Sequence, residues 1–155
     1  MTADQMAMAA VQAHFEYVNW GGAEDRRFHV DATFVWTCHV DGQTCHGPDG
    51  YAAYLARWQR ALPGCWFEIC AFAVAGTIVT CQMMLRGRHD GLLETCLGII
   101  PATGKCVDLP VCEIYRTQDG RLMAIGSYYD LSTLVRQLGR CPTYNMPTTQ
   151  MLLMN

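Results

Sequence analysis

Apolar residues recur along this chain with two different periods, and the change of period divides it into a helical first part and a strand-rich second part. In residues 4–19, Val11, His14/Phe15 and Val18 fall at i, i+3/i+4 and i+7, the stripe of an amphipathic helix that Gly21-Gly22 ends. A short second helix is expected over Ala23–Phe28. Asp31–Val40 is β-branched and aromatic and reads as a strand. After His46-Gly47-Pro48 the helical period returns: Tyr51, Tyr54/Leu55, Trp58 and Leu62 form one stripe, opened by a proline and stopped by Pro63-Gly64. From Cys65 onward the pattern is strand after strand: Trp66–Val74, Thr77–Arg88, Leu92–Ile100, Cys106–Thr117 and Arg121–Tyr129. A short helix through Leu131, Leu134/Val135 and Leu138 closes the order, with Asp130 as its N-cap and Gly139 as its stop.

Helices first and antiparallel strands afterwards predict an α+β fold in which the helices sit on one face of a sheet. A strongly curved, cone-shaped sheet around those helices encloses a cavity, the default place for a ligand. No linker or repeat divides the chain, so residues 1–139 read as one domain and 140–155, rich in Pro, Thr and Met, as an irregular tail.

Composition narrows the function. Of 155 residues, 51% are hydrophobic and only 16% charged, with a net charge of −3. That balance gives no electrostatic footprint for nucleic acid or an anionic membrane surface. The first residues lack the charged and apolar regions of a secretion signal, and no apolar run approaches a membrane span, so a soluble, intracellular (cytoplasmic) protein is expected. The nine cysteines include no C-x-x-C pair and are odd in number. They read as reduced, mostly buried thiols, several inside strands, with no metal and no disulfide framework.

One acid interrupts this picture. Glu113 shares a strand face with Val111 and Tyr115, where a carboxyl is costly to bury unless it is used or neutralised. With Gln118-Asp119-Gly120 as a three-residue loop, Glu113 faces Ile125, and Ser127 is its diagonal neighbour on the same face. Burial there raises a carboxyl's pKa toward neutrality and suits it to general acid/base work; the structural alternatives are a Glu paired with an arginine such as Arg86, or a strand face that points to solvent. Arg86 and Arg88 share their strand face with Gln82 and Met84, ordinarily a solvated face. Asp130 is explained by its N-cap role and His89 by a hairpin corner; His39 and Asp41 fit a turn at Gly42, from which either could reach a cavity mouth. Trp36, Trp58, Trp66, Tyr17, Tyr51 and Tyr54 supply an aromatic wall suited to a hydrophobic ligand. No phosphate loop, metal cluster or nucleophile triad points to a cofactor.

Several motifs in order carry a resemblance: Gly47-Pro48, Gly87-Arg88-His89-Asp90-Gly91, Gly98 with Pro101-Ala102-Thr103-Gly104-Lys105, and Asp119-Gly120-Arg121 followed by Asp130-Leu131 and Leu134-Val135-Arg136-Gln137-Leu138-Gly139. Over roughly residues 5–139 the chain resembles the SnoaL-like polyketide cyclases, in the superfamily of ketosteroid isomerase and nuclear transport factor 2. The resemblance implies a cavity for acid/base chemistry. The cyclases' catalytic aspartate falls on Ser127, and their histidine and the isomerase's oxyanion-stabilising acid fall on Glu113. The cyclases' Asn and the isomerase's base correspond approximately to Trp36. His14 or Tyr17 lies near the isomerase's tyrosine donor.

The expected function is therefore a cofactor-independent cyclase or isomerase acting on a hydrophobic polyketide or meroterpenoid-type intermediate. Glu113, Ser127, His14 and Tyr17 are its catalytic candidates, and Trp36, Arg86, Tyr54, Trp58 and Tyr115 its substrate-binding ones. The alternative is a non-catalytic ligand-binding or dimerisation module, which the loss of an acid at Ser127 favours. Sheets of this superfamily commonly pair through their outer faces, and a homodimer is expected.

Overall fold

The computed structural model describes residues 1–20 and 30–139; the short helix expected over 23–28 and the tail 140–155 lie outside the described residues. Helix α1 (Ala3–Trp20) starts with a capping box: the Thr2 amide donates to Gln5 Oε1 at 2.8 Å and the Gln5 amide donates to Thr2 Oγ1 at 3.2 Å. Its buried side, Ala7, Ala10, Val11, His14 and Phe15, keeps the helical spacing of the sequence. Strands β1 (Val30–Cys38) and β2 (Thr44–His46) precede α2 (Gly47–Ala61), which buries Tyr51 and Leu55. The sequence pattern did not register the three-residue β2.

Strands β3 (Trp66–Ala75), β4 (Ile78–Arg88), β7 (Cys106–Gln118) and β8 (Arg121–Tyr129) complete a six-stranded sheet in the order β2-β1-β8-β7-β4-β3. Its pairs are antiparallel except β1 with β8. The sheet curls without closing. Helix α1 packs on β3, β4, β7 and β8, and α2 on β1, so both helices fill the same concave side. Helix α3 (Leu131–Gln137) follows Asp130, whose carboxylate accepts from the Ser132 amide at 3.0 Å and from Thr133 Oγ1 at 2.6 Å.

The expected strand Leu92–Ile100 is instead a separate hairpin of β5 (Leu93–Thr95) and β6 (Gly98–Ile100). Thr95 Oγ1 accepts from the Leu97 amide and donates to the Gly98 carbonyl, and Gly98 has φ +119°, so the chain reverses where a continuous strand was expected. The Gly87–Gly91 motif has a packing role. The amides of Asp90 and Gly91 both donate to the Ala61 carbonyl at the end of α2, and a Cβ on Gly91 would lie 2.0 Å from the Arg60 carbonyl oxygen. Buried His89 holds Thr103 Oγ1 at 2.9 Å across the same corner.

Alternation on β4 and β7 sets what each face carries. Val79, Cys81, Met83 and Leu85 on β4, and Val107, Leu109, Val111, Glu113, Tyr115 and Thr117 on β7, point to the concave core. The β7–β8 register differs from the expected one. Asp119 (φ +50°) and Gly120 (φ +74°) form a two-residue turn, and a bulge follows between the Arg116 and Thr117 pairings. Each moves the pairing by one residue. The two together preserve the face but bring Ser127 directly opposite Glu113, with Ile125 opposite Tyr115.

The cysteines also depart from expectation. Of the eight among the described residues, Cys38 and Cys81 are buried, whereas Cys70, Cys96 and Cys106 are exposed. Cys70 lies on the edge strand β3 and Cys96 at the tip of the β5–β6 hairpin, where no helix covers them.

Candidate active site

Between the helices and the sheet lies a cavity of about 50 Å³. His14, Phe15 and Val18 of α1 line it from one side, and Tyr51, Tyr54, Leu55 and Trp58 of α2 from another. The sheet contributes Phe67, Leu85, Leu109, Val111, Glu113, Ser127 and Tyr129. Helical spacing explains the α2 set, since positions 51, 54, 55 and 58 share one face. Strand alternation explains the pairs 109/111/113 and 127/129.

Glu113 is the acid in this wall, with 7% of its surface exposed. Tyr115, two residues on along the same face, donates its hydroxyl to Glu113 Oε2 at 2.6 Å. Ser127 and Trp36 also hydrogen-bond the carboxyl. Burial pushes the Glu113 pKa above the usual carboxylate range, and the three donors, Tyr115 foremost, pull it partly back. The result is a carboxyl whose ionised form is solvated by protein groups instead of water.

The opposite wall carries a histidine–tyrosine pair. His14 Nε2 lies 3.4 Å from Tyr51 Oη; the two rings stack with centroids 5.8 Å apart, and the His14 ring meets Tyr115 edge-on. Burial, reinforced by the Glu113 charge, holds the Tyr51 and Tyr115 phenols well above their ordinary pKa, so both remain protonated hydrogen-bond donors. Cys81, the cross-strand partner of Glu113, has its thiol pushed up to about 12 by burial and then by Glu113, which removes it as a nucleophile.

The site residues read from the sequence separate into four groups. Glu113, Ser127, His14, Tyr54 and Trp58 line the cavity together. Trp36 and Tyr115 do not line it. They lie fully buried beside it and hydrogen-bond Glu113, with the Trp36 ring 3.8 Å from that of Tyr54. Tyr17 packs against the core without lining the cavity.

Arg86 is a correction. Alternation on β4 turns it to the convex face, where it pairs with Glu68 at 2.7 Å and Asp108 at 2.5 Å, away from the cavity and from Glu113. His39 is also on the convex face, stacked on Tyr128 with ring centroids 4.4 Å apart, and Asp41 accepts from the Gln43 amide in the expected turn. Tyr51 as a polar partner of His14, and Tyr129 as a wall, were hidden in the sequence. The first sits on a stripe that reads as plain core, and the second ends a strand two residues after Ser127. Among the described residues no group of three His, Cys, Asp or Glu side chains converges as a metal site would require.

The family model for the SnoaL-like polyketide cyclases matches residues 8–138, and the chain belongs to that family. No curated protein matches it. Among solved structures, one from Jannaschia Sp. CCS1, named for the SnoaL-like polyketide cyclases, superposes with a TM-score of 0.78 at 20% identity, covering 92% of this chain and 97% of its own. A protein of ketosteroid isomerase-like fold from Catenulispora acidiphila DSM 44928, solved in complex with trimethylamine, gives 0.70 at 19% identity, over 88% of this chain and 97% of that one. IdmH from Streptomyces antibioticus, named for the polyketide cyclases, gives 0.71 at 21%, over 86% and 98%. At these identities the likeness shows the curled-sheet fold.

Proposed function

We propose that this protein is a cofactor-independent cyclase or isomerase that uses general acid/base chemistry on a hydrophobic polyketide or meroterpenoid-type intermediate. The observation that carries this reading is Glu113: a buried carboxyl with a raised pKa, on an aromatic cavity wall that also carries the His14–Tyr51 pair. In a cyclisation, Glu113 takes a proton from a carbon activated by neighbouring carbonyls, and Tyr51, backed by His14, donates a hydrogen bond to the enolate oxygen. The carbanion closes a C–C bond onto a second carbonyl, and Glu113 returns its proton to the resulting alkoxide. In an isomerisation the same proton returns to a different carbon. Ser127 orients the carboxyl through its hydroxyl, which donates or accepts a hydrogen bond there.

The test uses 5-nitrobenzisoxazole, an aromatic probe that opens when a desolvated carboxylate removes its C–H proton. The protein should accelerate the opening, with a rate that rises with pH as Glu113 ionises. Glu113→Gln should lose roughly 10²-fold or more, and Ser127→Ala less. A wild-type protein without acceleration that still binds aromatic ligands would instead mark the non-catalytic binding module, the reading favoured by serine at position 127.

We further propose that the protein works as a homodimer through its convex face. Exposed Tyr128 lines a shallow depression there together with Met84, Pro110 and Cys112. A pair on this face should bury about 1,600 Å² in total. Light scattering at micromolar protein checks it, and a monomeric mass refutes it.

A further inference from the structure

The cavity is more selective than a hydrophobic hole. Six of its lining residues, Phe15, Tyr51, Tyr54, Trp58, Phe67 and Tyr129, are aromatic, and among the described residues no Lys or Arg lines it. Aromatic rings carry a negative face, and the charge in the wall is a carboxyl. Trp58 and Tyr129 meet at 90° with centroids 6.2 Å apart, while Tyr51 and Tyr54 lie nearly parallel at 6.3 Å, so the rings form a corner and a flat side. The enclosed space of about 50 Å³, at roughly 10–15 Å³ for one water, leaves room for a compact head group of a few heavy atoms.

The hydrogen bonds around Glu113 indicate which head group suits it. Tyr115, Ser127 and Trp36 can all donate to the carboxyl, and Trp36 can only donate. Such a shell supports the ionised form. An anionic head group meets repulsion from both the rings and the carboxylate. A purely apolar one gains from the rings and draws nothing from Glu113. A methylated or quaternary nitrogen uses both, through cation–π attraction and the carboxylate as counter-ion.

We propose that this cavity recognises a small alkylammonium group, held between the faces of Tyr51, Tyr54, Trp58 and Tyr129 and neutralised by Glu113. The recognition uses the site of the acid/base reading and names the group its ligand carries, but it needs no turnover.

Titration calorimetry with choline and with its uncharged carbon isostere, 3,3-dimethylbutan-1-ol, tests the assignment at about 0.15 M salt, where exposed charges are largely screened. The expected result is choline binding about tenfold tighter than the isostere. Glu113→Gln should lose about that factor for choline and leave the isostere within about twofold; Trp58→Leu should weaken choline more than the isostere. Circular dichroism melting shows that each variant is folded. The proposal is overturned if the isostere binds as well as choline, if Glu113→Gln leaves choline binding intact, or if neither ligand binds the wild type. The 5-nitrobenzisoxazole assay on the same samples separates the two readings. Choline preference without acceleration breaks the catalytic reading alone, and acceleration without choline preference breaks this one alone.

Discussion

Two charged clusters occupy opposite faces of the same sheet and are built in opposite ways. On the concave face, Glu113 is a lone acid in an apolar wall, contacted by neutral donors and buried to 7% exposure. On the convex face, Arg86 bridges Glu68 and Asp108 while all three side chains remain more than a third exposed. Water solvates the second cluster, and its formal charges attract one another weakly through a high dielectric. Protein donors must replace water for the first, and each of them matters. Glu113 and Arg86 belong to adjacent strands, five residues apart in β4–β7 pairing, since Cys81 faces Glu113. An odd separation is what sends them to opposite faces.

Removing the titrating group at position 113 tests the comparison most severely. Beyond its effect on turnover, Glu113→Gln should change how stability depends on pH. The folded-state pKa of Glu113 is raised, so the native protein holds a proton that the unfolded chain releases near its ordinary value of about 4.3. Wild-type stability from this group is therefore full below that value and is lost as pH rises through the folded-state pKa. Glutamine cannot ionise. The melting temperature of Glu113→Gln minus that of the wild type should become more positive as pH rises across this window, then level off. A difference flat in pH would mean that Glu113 titrates as it does in water.

Much of this arrangement was legible in the sequence, and the part that was not has a physical cause. The apolar periods located α1, α2 and the long strands, because burial on one face leaves a repeating mark. The acid at position 113 stood out because it breaks such a mark. Its neighbour across the sheet was misplaced: a two-residue turn and a bulge each shift register by one, and neither leaves a hydrophobic signature. Their sum is even, so Ser127 stayed on the expected face while its partner changed. Tyr115 and Trp36 were read as ligand contacts for a related reason. Pattern shows that a side chain points inward, but not whether it ends at the cavity or behind the acid that lines it. The short β5–β6 turn at Thr95 and Gly98 was invisible in an otherwise apolar run.

Tyr115→Phe sharpens the comparison at an intermediate scale. The ring stays, and the 2.6 Å hydrogen bond to Glu113 is lost. A charge-assisted bond of this kind favours the ionised carboxyl, so its loss should raise the Glu113 pKa further and move the rising limb of the rate–pH profile to higher pH. At neutral pH the rate with 5-nitrobenzisoxazole should fall about tenfold, with most of the loss recovered at alkaline pH. Recovery distinguishes a tuned pKa from a damaged cavity, in which the rate stays low at every pH.

Arg86→Met should have the smallest effect, and for that reason it tests the other half of the contrast. Methionine keeps much of the apolar stem that lies near Trp66, whose ring centroid is 6.0 Å from the guanidinium carbon, and removes both ion pairs. The two carboxylates left behind are exposed to water and pay little for losing their partner. The melting temperature should fall by about 2 °C or less, and the effect should shrink further in high salt, where exposed pairs are already screened. Turnover of the probe should stay within about twofold of wild type at every pH, because the β4 backbone separates Arg86 from the cavity. A rate change that tracked the pH profile of Glu113 would show that the sheet does not insulate its two faces, and the division between a solvated cluster and a protein-solvated acid would fail with it.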